Sequence, residues 1–126
     1  MIHFPAERIL ISGDVAITPM QFAFFSSPRQ WIDTLGRLAT IDAAVIVPGH
    51  GPVQKDARFI ADLQAMLRSV VEQVDVGIKA GLNLEVLQKT VKIVPPAGSV
   101  YEKASTAALD RLFRLPAIES ALKEKS

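Results

Sequence analysis

Two histidines occur in this chain of 126 residues, and one of them has an unusual setting. His50 lies in Val47-Pro48-Gly49-His50-Gly51-Pro52, where an apolar run breaks off between glycines and prolines. Asp14 is placed in a related way, directly after the apolar run Ile9-Leu10-Ile11-Ser12 and Gly13. A carboxylate offers hard oxygen donors and a neutral imidazole offers nitrogen, a pair that suits zinc, manganese or iron. The glycines beside His50 let the backbone turn sharply and approach an ion closely. Ligand groups in α/β architectures gather at the carboxyl ends of strands, where the chain leaves the sheet around a crevice. Plainer readings stand beside this one. An aspartate after a strand-end glycine commonly serves a turn, and a histidine in a Gly/Pro turn commonly faces solvent. His3, on the first apolar run, is a weaker candidate ligand. Ser12, Ser26 and Ser27 have no neighbouring base, and no nucleophile elbow, phosphate loop or dinucleotide fingerprint occurs.

The elements that must position Asp14 and His50 follow from the pattern. Ile2-His3-Phe4 and Ile9 to Ser12, separated by the turn-forming Pro5-Ala6-Glu7-Arg8, predict a hairpin. Val15 to Ser26 is apolar without a clean period and contains Pro19, so it reads as a partly buried loop. Phe22, Phe24 and Phe25 place three of the six phenylalanines there, either packed on the core or lining a pocket or interface. Ser27, Pro28 and Gln30 fit the N-cap, first position and capping-box partner of a helix that ends near Thr40, with Trp31, Leu35 and Leu38 on one face. Ala43 to Val47 is a strand that delivers His50. A long amphipathic helix is predicted from Lys55 to Lys79, carried by Ile60, Leu63, Leu67, Val70, Val74 and Ile78 and stopped by Gly81. Asn83 caps a second helix to about Lys92, with Leu82 and Leu87 in the staple positions. After the break at Pro95-Pro96-Ala97-Gly98, Tyr101 to Lys125 forms one or two helices kinked or divided at Pro116. The expected class is α/β (α+β): one domain over 1–126, with a strand, loop and helix part at 1–54 and a helical part at 55–126.

Composition bounds the function. Hydrophobic residues are 49% and charged residues 21%, an ordinary globular balance with room for a real core. Fourteen basic residues against thirteen acidic ones leave a net charge of +1, and the basic ones are scattered. That pattern points to no nucleic acid and no membrane surface as partners. The absence of cysteine excludes disulfides, thiolate zinc sites and cysteine nucleophiles. No apolar run reaches the roughly 18 residues of a membrane span, and Met1 to Ile9 lacks a signal-peptide pattern. The expected compartment is the cytoplasm by default.

Two stretches together resemble a known family. Phe4-Pro5-Ala6-Glu7-Arg8-Ile9-Leu10-Ile11-Ser12-Gly13-Asp14, followed by Pro28 to Val53 with its Pro48-Gly49-His50-Gly51, is similar to the second half of a metallo-β-lactamase-fold hydrolase. The likeness covers about residues 3 to 95, and the paired Gly-Asp and Pro-Gly-His-Gly motifs are more specific than either alone. The resemblance implies half of a four-layer αβ/βα sandwich. It implies that Asp14 matches the aspartate bridging two metal ions and that His50 matches the final histidine ligand. It implies two zinc ions per complete site, with iron or manganese as alternatives. It also implies a small-molecule substrate hydrolysed by a metal-activated hydroxide.

The sequence departs from the family where the departure matters most. The H-x-H-x-D-H ligand motif is absent, and so is the further histidine before the final strands; both would precede Met1. Two ligands remain, whereas a catalytic zinc takes three protein ligands and an open position. The expected protein is a truncated metal-dependent hydrolase with a partial dinuclear site, not catalytic as an isolated chain. A lone half also exposes the sheet face that its other half would cover. The expected partner is therefore a second copy, forming a homodimer, or a missing N-terminal half. The rival expectation is a non-enzymatic interaction or scaffold half-domain that self-associates. A regulator built on the helical portion is a weaker third reading.

Overall fold

The computed structural model describes residues 1–17, 21, 23 and 26–125. The expectations for Pro19, Phe22, Phe24 and Phe25 lie outside them. The architecture is α+β, a three-stranded mixed sheet followed by helices. Strand β1 (Ile2–Phe4) pairs antiparallel with β2 (Ile9–Gly13), as the Pro5–Arg8 turn predicted. Strand β3 (Val45–Pro48) then lies parallel to β2, in the order β1-β2-β3. Parallel neighbours need a crossover, and here the loop and helix α1 (Pro28–Ala39) supply it.

The sheet has two unlike faces. Leu10, Ser12 and Ile46 alternate onto the face that the helices cover, and all three are buried. The register places Ile2 opposite Ile11 and Phe4 opposite Ile9, with Ile9 beside Val45 and Ile11 beside Val47. Paired residues share a face, so these six apolar side chains form one patch. Ile2 and Phe4 are exposed, the other four are half-buried, and none packs against the core cluster.

The core is centred on α2 (Arg58–Lys79). Ile60, Leu63, Leu67, Val70 and Val74 are buried at the predicted spacing, against α1 on one side and the C-terminal helices on the other. The helix begins three residues later than the periodicity suggested. Gln54 is held in an antiparallel bridge to Ile46, and the Asp56 carboxylate accepts the Arg58 amide at 2.9 Å, so the entry is spent on a local turn. Gly81, at φ +76°, follows its end. Helix α3 (Leu84–Thr90) is capped by Asn83, whose side chain accepts the Val86 amide at 3.0 Å.

A 3-10 turn (Val100–Lys103) leads to α4 (Thr106–Leu109), a π-type turn (Asp110–Arg114) and α5 (Leu115–Lys123). The expected division at Pro116 takes this form because proline has no amide hydrogen to return to the Leu112 carbonyl one turn earlier. That carbonyl instead accepts the Ala23 amide of the long loop at 2.9 Å. The described residues of the loop follow no regular element, and Ala16, Ile17, Gln21 and Ala23 are buried, as a partly buried loop requires. Arg29 ties three helices together, bonding Asp75 of α2, and Glu124 and the Ala121 carbonyl at the end of α5, the last at 2.8 Å. Ser27 stands at the α1 N-cap position but makes no side-chain cap bond, which corrects the expected capping box; Pro28 does occupy the first turn.

Candidate functional site

Asp14 and His50 come together at one end of the sheet. Strand β2 ends at Gly13, whose φ of +61° swings the chain out of the sheet so that Asp14 projects at its carboxyl end. Strand β3 ends at Pro48 beside Gly13, and the Gly49 amide donates to the Gly13 carbonyl at 2.9 Å. This bond draws the two strand exits against each other. A Cβ on residue 49 would sit 2.0 Å from an Asp14 carboxylate oxygen and 2.7 Å from the Gly13 carbonyl carbon. Glycine is therefore required at 49 by close approach, which the sequence signalled only as flexibility.

The His50 Nδ1 and Asp14 Oδ1 atoms are 3.2 Å apart, and the side chains are 66% and 76% exposed. Two ligands of one tetrahedral zinc, each at ~2.1 Å, stand roughly 3.4 Å apart, so the separation fits neighbouring ligands of one ion as well as a hydrogen bond. Donor chemistry and spacing suit a metal; donor number does not. Among the described residues no group of three His, Cys, Asp or Glu side chains converges. His3 is exposed on the edge strand and joins no such group. The pair forms an edge of two donors, with no third beside it among the described residues.

A residue that sequence reasoning passed over holds that edge in place. Gln21 is 3% exposed; its side-chain oxygen accepts the Ile17 amide at 2.7 Å and its NH2 donates to the Asp14 carbonyl at 3.3 Å. Its position within an aperiodic loop gave no signal. Trp31 acts similarly, donating its indole N–H to the Val15 carbonyl at 2.8 Å while its ring meets Phe113 edge-on, centroids 6.5 Å apart. The buried Tyr101 hydroxyl donates to the Ile17 carbonyl at 3.0 Å, and burial pushes its pKa well up. The segment around Asp14 is thus pinned by three side chains, Gln21 from within the loop, Trp31 from α1 and Tyr101 from the 3-10 turn. A shallow cleft of about 350 Å³ adjoins Asp14, lined by Gln21, Ser26, Ser27, Gln30, Trp31 and Thr34. Of these residues Asp14 alone carries a charge, and the rest of the lining is neutral.

Set against known proteins, the chain matches no family model and no curated protein. Among the described residues no helix is long and apolar enough to cross a membrane.

Proposed function

We propose that this chain is the C-terminal half of a metal-dependent hydrolase of the metallo-β-lactamase kind, supplying Asp14 and His50 to a dinuclear site completed by other polypeptide. The observation that carries the reading is the convergence of these two side chains, 36 residues apart, at the carboxyl ends of two paired parallel strands. In that reading Asp14 and His50 would hold metal, zinc first with iron or manganese as alternatives, and the metal would supply an activated hydroxide for a small-molecule substrate. The chain's own contribution is positional. Gly13 and Gly49 bring the strand exits together, and Gln21 fixes the Asp14 backbone.

The open apolar face of the sheet supports the second element of the proposal, a covering partner. Six apolar side chains on one sheet face are more than an isolated small domain ordinarily leaves uncovered. A second copy of the chain or an N-terminal half would cover them, and either would bring further ligands toward Asp14 and His50. The same face favours the alternative of a scaffold half-domain that self-associates without chemistry.

Metal content per chain and mass in solution, measured on protein purified without chelator, separate these readings. The hydrolase reading with a second copy expects a species of about twice 13.7 kDa holding metal that His50→Ala abolishes. A metal-free dimer indifferent to Asp14→Asn and His50→Ala supports the scaffold. With an upstream half carrying the H-x-H-x-D-H motif supplied, hydrolysis should appear; hydrolysis unchanged by His50→Ala refutes the assigned role.

A further inference from the structure

A second polar cleft lies away from the sheet end, where the entry to α2 meets the turn at 95–99. It encloses about 180 Å³, and its walls include Gln54, Asp56, Arg58, Asp62 and Ser99. Among the described residues, two polar atoms there have no hydrogen-bond partner, the Ser99 hydroxyl and the Asp62 Oδ2. Ser99 is 5% exposed and the Asp62 side chain 16%. Ser99 precedes the 3-10 turn in the N-cap position, where a serine ordinarily accepts a backbone amide, yet it makes no such bond. Buried polar groups in native proteins are nearly always satisfied, and two orphans lining one cleft call for a shared partner.

The neighbouring polar groups are committed elsewhere. Arg58 donates to the Ala97 carbonyl at 3.2 Å and leaves its Nε 3.9 Å from Asp62 Oδ2, beyond hydrogen-bond reach. Asp56 accepts the Arg58 amide, and the Gln54 NH2 donates to the Pro52 carbonyl. What remains open is a carboxylate oxygen, which accepts, and a hydroxyl, whose oxygen accepts while its hydrogen can turn to another partner. Two aspartates against one arginine give the lining a net charge of −1, which disfavours anions. At roughly 30 Å³ per water, the cleft has room for a ligand of a few heavy atoms.

We propose that this cleft binds the primary ammonium group of a small aliphatic amine, with Asp62 Oδ2 and Ser99 Oγ as its acceptors. An ammonium carries three N–H donors on one compact charge, which satisfies both orphans and neutralises the lining. Without a cation, burial holds the Asp62 carboxyl above its ordinary value despite Arg58 nearby, a condition that the bound charge reverses. The site stands apart from Asp14 and His50, and its test does not depend on them.

The test is thermal unfolding of the full chain in ethylammonium chloride, sodium chloride or tetraethylammonium chloride at equal ionic strength. Binding to the folded state predicts a midpoint rise of ~3 °C with ethylammonium alone. The rise disappears in Ser99→Ala and in Asp62→Asn. Both variants remain folded, because neither removes a hydrogen bond and Asp62→Asn gives up only a long, partly exposed ion pair with Arg58. An equal rise with sodium or tetraethylammonium, a rise that persists in both variants, or no rise in the parent chain overturns the proposal. Amide chemical shifts in the parent chain give a second reading: saturable shifts at Asp62 and Ser99 on adding ethylammonium support it, and unmoved amides refute it.

Discussion

Leu10 and Ile11 are neighbours on one strand, yet they belong to two different surfaces. Leu10 enters the side of the sheet sealed by the helices and is fully buried, together with Ile46. Ile11 points the other way, into the partly buried patch with Ile2 and Val47, which among the described residues lies outside the core cluster. Strand geometry forces this split, since successive side chains face opposite sides. The lesson lies in the composition of the uncovered side. A sheet with one solvated face normally alternates apolar with polar residues. Here Ile9-Leu10-Ile11 and Val45-Ile46-Val47 are apolar on both sides, the pattern of strands buried on both faces. One side of the sheet is sealed by the helices, and the other carries the same apolar pattern without a described cover.

Substitutions on the two sides should separate sharply. The largest effect belongs to the sealed side: Leu10→Ala should lower the free energy of unfolding by about 2–5 kcal/mol, measured by denaturant titration, through lost burial and a cavity. Gly49→Ala comes next, at the sheet end where both strands exit. Its added methyl meets the Gly13 backbone as well as the Asp14 carboxylate, so a loss of about 1–3 kcal/mol is expected. The His50 ring resonances should move with it as the strand exits separate. The smallest effect is Ile11→Ala, which should cost below ~1 kcal/mol in dilute chain. At high concentration the same variant should weaken self-association, read as a lower average mass by light scattering. A loss matching that of Leu10→Ala would mean that the open side is already packed within the chain, and the comparison would fail.

Local rules reached much of this fold. The Pro5–Arg8 turn, the stop at Gly81 and the Asn83 cap each depend on a few adjacent residues, and each stands as the sequence indicated. Asp14 and His50 were legible for the same reason, because each carries its own strand-end setting. The errors arose where a partner outside the periodic pattern decides. Helix α2 starts late because Gln54 is claimed by Ile46. Ser27 offered a cap signature that the surrounding packing does not use. Gln21 orders the Asp14 loop through two bonds that no periodicity announces. The Asp62 and Ser99 cleft joins residues 37 apart with no motif between them. No third donor beside Asp14 and His50 was legible, and none joins them among the described residues.

The hydrogen bond from Ala23 to the Leu112 carbonyl has a consequence for anyone who shortens this chain. Pro116 withholds the donor that an ordinary helix would return to that carbonyl, and a loop 89 residues earlier takes up the acceptor. The C-terminal helix is thereby a buttress for the segment between Asp14 and α1. Cutting the chain before Leu112 would strip Ala23 of its acceptor and Trp31 of its contact with Phe113. A fragment that keeps Asp14 and His50 but ends early retains both side chains and loses the scaffolding that aims them.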